Sequence, residues 1–207
     1  YVTGKSDAAL FASFESGAKG WKFYGTKHMG SNHGLYVDHR KKAVAGDPKW
    51  TDYTLEGKVL VKIPWKRRNV KEVVYDEEGD PTAGLLFRVN KPGDEFEDMR
   101  SYSVSHTGKK LVLGKFAGND WKELASYDLT KLKTKSRLNE WSLIRIEAIG
   151  PKFRIWFNRT HGDPEKGLRI EYTDKDDPLL SGAVAVGSFQ TTAVFDDLVG
   201  IPMQKKD

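Results

Sequence analysis

WTDYTLEGKVLV, Trp50 to Val61, sorts its side chains by parity. Tyr53, Leu55, Gly57, Val59 and Val61 fall on one side, and Thr54, Glu56, Lys58 and Lys62 on the other. Alternation of period two marks a strand with one packed face and one polar face. Antiparallel sheets hold such strands with the oily row inward and the hydrogen-bonding row outward. The charged row then meets either water or a ligand.

The same alternation recurs along the chain. LYVDH (35–39) precedes the stretch, and AGLLFRVN (83–90) sets Leu85, Phe87 and Val89 against Leu86, Arg88 and Asn90. SYSVSH (101–106) sets Tyr102 and Val104 against Ser101, Ser103 and Ser105; the turn HTGKK then leads into LVLGKF (111–116). A glycine-bearing turn between two such runs is a hairpin signal. WSLIRIEAIG (141–150) opposes Ile144, Ile146 and Ala148 to Leu143, Arg145 and Glu147, while FRIWFNR (153–159) opposes Phe153, Ile155 and Phe157 to Arg154, Trp156 and Asn158. LRIEYTD (168–174), GAVAVGSF (182–189) and TAVFDDLVGI (192–201) close the series. Helix-spaced apolar residues come only in short windows broken by Gly or Pro. Ten to a dozen strands with so little helix predict an all-β, two-sheet sandwich. The Pro-, Gly- and charge-rich segment 64–82 reads as a long hairpin excursion rather than a boundary, so residues 1–207 read as one domain.

Composition narrows the function. The chain has no cysteine, which removes disulfides and thiolate metal sites. No apolar run approaches the ~18 residues of a membrane-spanning helix, and no signal-peptide pattern is present. Beginning at Tyr1, the chain reads as a mature or excised segment, compatible with a secreted or periplasmic protein. The net charge of +5 comes from 34 basic against 29 acidic residues, and the basic excess clusters in KIPWKRRNVK (62–71), HRKK (39–42) and the tail QKKD. Pro64 and the acidic YDEEGD (75–80) interrupt the longest of these, so it reads as a solvated loop rather than a nucleic-acid surface. His28 and His33 lack zinc-ligand spacing, and Asn158-Arg159-Thr160, a glycosylation sequon in form, reads as a turn. Six Trp and eight Tyr supply rings that favour strands and also stack on flat apolar surfaces.

Taken in order, SFESGAKGWKFYG, LYVD, WTDYTLEGKV, AGLLFRV, SYSVSHTGKKLVLGK, WSLIRIEAIGPKFRIWFN and SGAVAV…AVFDDLVG resemble the concanavalin A-like lectin/glucanase superfamily. More narrowly, they resemble the laminin-G-like carbohydrate-binding modules attached to bacterial glycoside hydrolases, and the related 3-keto-disaccharide hydrolase domains. The resemblance implies a jelly-roll sandwich of two curved antiparallel sheets with saccharide on the concave face or at a loop edge. It implies a module of a polysaccharide-degrading protein, tethered to other domains. It further implies a structural calcium held by Glu15 and Asp197, with Asp196 beside them. Arg88 stands where these relatives carry the arginine of a Gly-x-x-x-Arg strand, so it either recognises ligand or pairs with Glu147.

A sugar needs a ring for its C–H face and planar polar groups for its hydroxyls. The polar rows offer Arg88, Arg145, Glu147 and Trp156, with Ser103 leaving room above its strand and Trp121 the tryptophan expected at the surface. Enzymes on the same scaffold are the alternative. A glycoside hydrolase needs two carboxylates about 5–10 Å apart, and the Glu-x-Asp-x-x-Glu strand of the superfamily's glucanases is absent, leaving DEFEDM (94–99) as the nearest acidic run. A polysaccharide lyase would assemble Tyr102, His106 and Arg88, although Tyr102 shares parity with Val104.

Overall fold

Trp50–Val61 lies in the middle of an eight-stranded antiparallel sheet, as the strand Tyr53–Val61. The computed structural model describes residues 9–15, 17–24, 28–29, 34–62, 81–96, 98–132, 138–158, 165–189 and 191–203. The basic run beyond Lys62, the acidic run 75–80, the QKKD tail, most of the sequon and the histidine side chains at 28 and 33 lie outside these.

In chain order the strands are β1 (Leu10–Ala12), β2 (Lys22–Tyr24), β3 (His28–Met29), β4 (Leu35–Val37), β5 (Lys41–Ala45), β6 (Tyr53–Val61), β7 (Ala83–Lys91) and β8 (Arg100–His106). They continue as β9 (Lys110–Ala117), β10 (Trp121–Asp128), β11 (Trp141–Ile149), β12 (Lys152–Phe157), β13 (Leu168–Thr173), β14 (Ala183–Ser188) and β15 (Ala193–Pro202). One sheet runs β13-β12-β11-β6-β15-β4-β3, with β1 also on β15; the other runs β10-β9-β8-β7-β14-β5-β2. The all-β jelly-roll sandwich expected from the sequence is the fold observed. The strands beyond those named from the sequence are β1, β2 and β3, of two or three residues and too short for alternation to register, together with β5 and β10.

The core lies between the sheets. Tyr53, Leu55, Val59 and Val61 of β6 enter it with Ile144, Ile146 and Ala148 of β11 and Phe153, Ile155 and Phe157 of β12. Leu85, Phe87, Tyr102, Val104, Leu111 and Leu113 meet them from the other sheet. Gly57 shares the inward parity because Leu198 fills its place: a Cβ there would sit 2.3 Å from Leu198 Cδ2. The outward row of β6 meets protein. Glu56 lies 3.6 Å from Arg145 across the ladder, and Lys58 Nζ lies 2.7 Å from Asp197.

A second, smaller apolar cluster covers part of the outer face of the seven-stranded sheet. Phe96 and Met99, from the connection between β7 and β8, close over Leu86, Val89, Ala183, Ala185 and Phe116. This outer layer shapes the concavity described next.

Candidate functional site

Apart from Leu86, the outward residues of β7, β8 and β9 are small where the strands lie side by side. Gly84 pairs with Ser105, Leu86 with Ser103, and Ser103 in turn with Gly114. Lacking bulk, they leave a trough in the sheet. Phe96, Phe116 and Phe189 wall it, their ring centroids 4.7–5.8 Å apart. Trp121, at the start of β10, lies over β9. A Cβ on Gly114 would come within 2.6 Å of its indole nitrogen, so glycine at 114 is what admits the ring. Trp121 is 49% exposed.

The resulting cavity measures about 440 Å³, within the range of small-ligand sites. Ser103 (2% exposed) and Ser105 (4%) line it. Among the described residues neither hydroxyl has a hydrogen-bond partner in the protein. Each can donate one hydrogen bond and accept two. Arg40 reaches the cavity from the β4–β5 turn, and Asn119 and Asp120 border it beside Trp121. A ring, two open hydroxyls and a mixed polar rim are suited to a ligand with both apolar and hydroxyl-bearing faces.

Of the side chains singled out in the sequence, Ser103 and Trp121 meet at this cavity. Arg145, Glu147 and Trp156 lie on the outer face of the other sheet. There Arg145 and Arg154 stand over the Trp156 ring at 5.8 and 4.9 Å, and Arg154 also faces Glu147, Glu165 and Glu171 at 3.9, 2.6 and 3.2 Å. Trp156 is therefore corrected: at 4% exposure, beneath two guanidinium groups, it has no free face for a sugar.

Arg88 is corrected as well. It is completely buried. Residue Arg88 has φ 51° inside a register shift between β7 and both its neighbours, so two successive residues, Phe87 and Arg88, turn toward the interior. Its backbone N–H donates to Tyr53 Oη (2.6 Å), and its Nη1 donates to the carbonyls of Gly150 (2.6 Å) and Leu179 (2.7 Å). The carboxylate it faces belongs to Asp52, at 3.5 Å, rather than to Glu147. Arg88 thus ties β7 to two loops inside one end of the sandwich. Tyr102 and His106 are also fully buried on the inter-sheet side, so the lyase arrangement of Tyr102, His106 and Arg88 has no surface to act from.

The calcium donors fit poorly as placed. Burial first, then the charges of Asp197 and Glu15, raise the Asp196 carboxyl above its ordinary range, so these acids do feel one another. Asp197, however, is taken by the Lys58 ammonium at 2.7 Å. Among the described residues no group of three or more His, Cys, Asp or Glu side chains is gathered to hold a metal. Calcium asks for 6–8 oxygens; two coupled acids and a third neutralised by lysine fall short.

No family model matches the chain, and no curated protein matches it. Solved structures do. A carbohydrate-binding module, CBM66 from Bacillus subtilis, is 19% identical over 88% of this chain and 95% of that one, with a TM-score of 0.63. A Bacillus subtilis protein of unknown function with a galectin-like fold is 12% identical over 94% and 96%, at 0.62. The exoplasmic/lumenal domain of VIP36 in its Ca2+/Man-bound form is 12% identical over 98% and 93%, at 0.61. At these identities the likeness concerns the fold alone, the two-sheet jelly-roll sandwich. Among the described residues no helix is long and apolar enough to cross a membrane.

Proposed function

We propose that this chain is a carbohydrate-binding module whose saccharide lies on the outer face of the seven-stranded sheet, against Trp121 and over Ser103 and Ser105. The observation that carries the reading is the pair of serine hydroxyls, Ser103 and Ser105, without protein partners among the described residues and opening into a cavity bordered by an exposed indole. Each hydroxyl can donate one hydrogen bond and accept two, a capacity that sugar hydroxyls match. The carbohydrate-binding module and the Man-bound domain among the similar structures support the same reading. In finer terms, the module serves a secreted or periplasmic polysaccharide-degrading protein, tethered to other domains. Binding rather than hydrolysis is favoured because Asp120 is the one acid lining the cavity among the described residues, where hydrolysis needs a pair.

Screening on a glycan array, followed by titration calorimetry and a reducing-end assay on the hits, tests this. Saccharide binding without turnover is the expected result. Trp121→Ala is expected to weaken binding about tenfold or more, roughly 1.4 kcal/mol, while Glu147→Gln, on the opposite face, leaves it unchanged. Release of reducing ends would make the chain an enzyme instead. Calcium is not needed for this reading, and Asp197 pairs with Lys58 instead. Melting temperatures in calcium and in EGTA are expected to coincide; a rise with calcium would return Glu15, Asp196 and Asp197 to a metal role.

A further inference from the structure

We propose that the ligand is an oligosaccharide whose next unit, neutral and rich in hydroxyls, occupies a second subsite around Lys91, Asp98, Arg100 and Asp177. The proposal rests on the saccharide reading above and extends it along the chain of the ligand. A second cavity of about 450 Å³ is lined by these four side chains and shares Gly118 and Asn119 with the first. The β9–β10 turn is therefore the common wall of both. It is firmly held: Gly118 N–H donates to the Met99 carbonyl (2.8 Å), and Ala117 N–H donates to that of Asp120 (3.0 Å).

Strand register gives the order of the subsites. Ser101 pairs with Phe116 and Phe116 with Trp121, and one step further toward the sheet end Lys91 pairs with Arg100 and Arg100 with Ala117. A ligand stacked at Trp121 and continuing past Asn119 arrives at this row.

The chemistry of the second cavity selects the kind of unit. Two cations and two carboxylates cancel. Arg100 and Asp177 pair at 3.1 Å, and among the described residues no ion pair engages Lys91 or Asp98. Ammonium and guanidinium groups donate, and carboxylates accept. Vicinal hydroxyls, which do both, satisfy such a set, whereas an ionised carboxylate or sulfate group, acceptor only, offers no donor to Asp98 and Asp177.

Calorimetry with neutral gluco-, manno-, xylo- and fructo-oligosaccharides of increasing length, taken from the array hits, and with uronate-bearing counterparts, tests the proposal. Affinity is expected to rise at least tenfold from one unit to four, to favour neutral over uronate-bearing chains, and to lose its length dependence in Lys91→Ala/Asp98→Ala. Affinity independent of length, a gain that survives the double variant, or a preference for uronates would each overturn it. Length-independent binding that still requires Trp121 would remove the second subsite alone. Failure of every saccharide to bind would remove the saccharide reading and this extension together.

Discussion

Asp174→Ala is expected to destabilise the fold by about 3–5 kcal/mol, because it strands a buried ammonium. Lys115 shares inward parity with Leu111 and Leu113 on β9, and its Nζ donates to Asp174 Oδ2 at 2.8 Å. The same oxygen accepts from Tyr102 Oη at 2.5 Å, and Oδ1 accepts from the Asp176 N–H at 3.0 Å. Burial alone would raise the Asp174 carboxyl, but the hydrogen bonds from Lys115 and Tyr102 outweigh it and hold the group below its ordinary range. Lys115 also donates to the carbonyls of Asp176 (2.6 Å) and Asp177 (2.7 Å), so the ammonium cannot swing out to water without breaking the loop. Urea denaturation should show a lower midpoint with an unchanged slope. Replacing both partners with apolar residues, as in Lys115→Met/Asp174→Leu, should recover much of the loss, since a buried ion pair is often no better than well-packed hydrocarbon. A cost below about 1 kcal/mol for Asp174→Ala would show that the pair does not anchor the loop.

Acidification is expected to weaken the fold by up to about 3 kcal/mol through His106 alone, at about 1.36 kcal/mol per pKa unit. His106 is fully buried, edge-on to Phe157. Its Nδ1 accepts from the Gly108 N–H at 3.2 Å, and among the described residues Nε2 has no hydrogen-bond partner. Burial lowers its pKa from 6.5 to about 4. Between those values the unfolded chain binds a proton that the folded chain refuses, so stability falls as pH drops from about 6.5 to 4 and this contribution then levels off. Asp174, held low in the fold, adds its own loss only as pH falls through and below the ordinary carboxylate value. Urea midpoints across this range check the effect. His106→Phe should flatten the curve between pH 6.5 and 4, and an unchanged curve would place the acid sensitivity elsewhere.

The fold was legible because its long strands obey one rule. In β6, β8, β11 and β12 every side chain assigned inward by alternation lies in the core, apart from Gly57, whose place Leu198 fills. Alternation also put Ser101, Ser103 and Ser105 on the outer face. It misplaced Arg88, because one left-handed residue at a bulge reverses parity locally and nothing in AGLLFRVN announces it. It placed Trp156 on the correct face and still misled. Exposure depends on what arches over a residue, and the arginines at 145 and 154 reach across from positions that pattern alone cannot orient. The phenylalanine wall was half visible: Phe116 shares parity with Gly114, opposite the core leucines of LVLGKF. Phe96 was hidden inside an acidic run, and its docking on the far side of the sheet is a long-range event.

Trp121 sits on β10, the outermost strand of its sheet, laddered to β9 on one side and absent from the main core. Substitutions at this margin leave the interior that sets the melting point largely untouched. Descendants of the sequence are thus free to diverge in the rim of this cavity, and so in what it admits, while selection keeps the scaffold beneath constant.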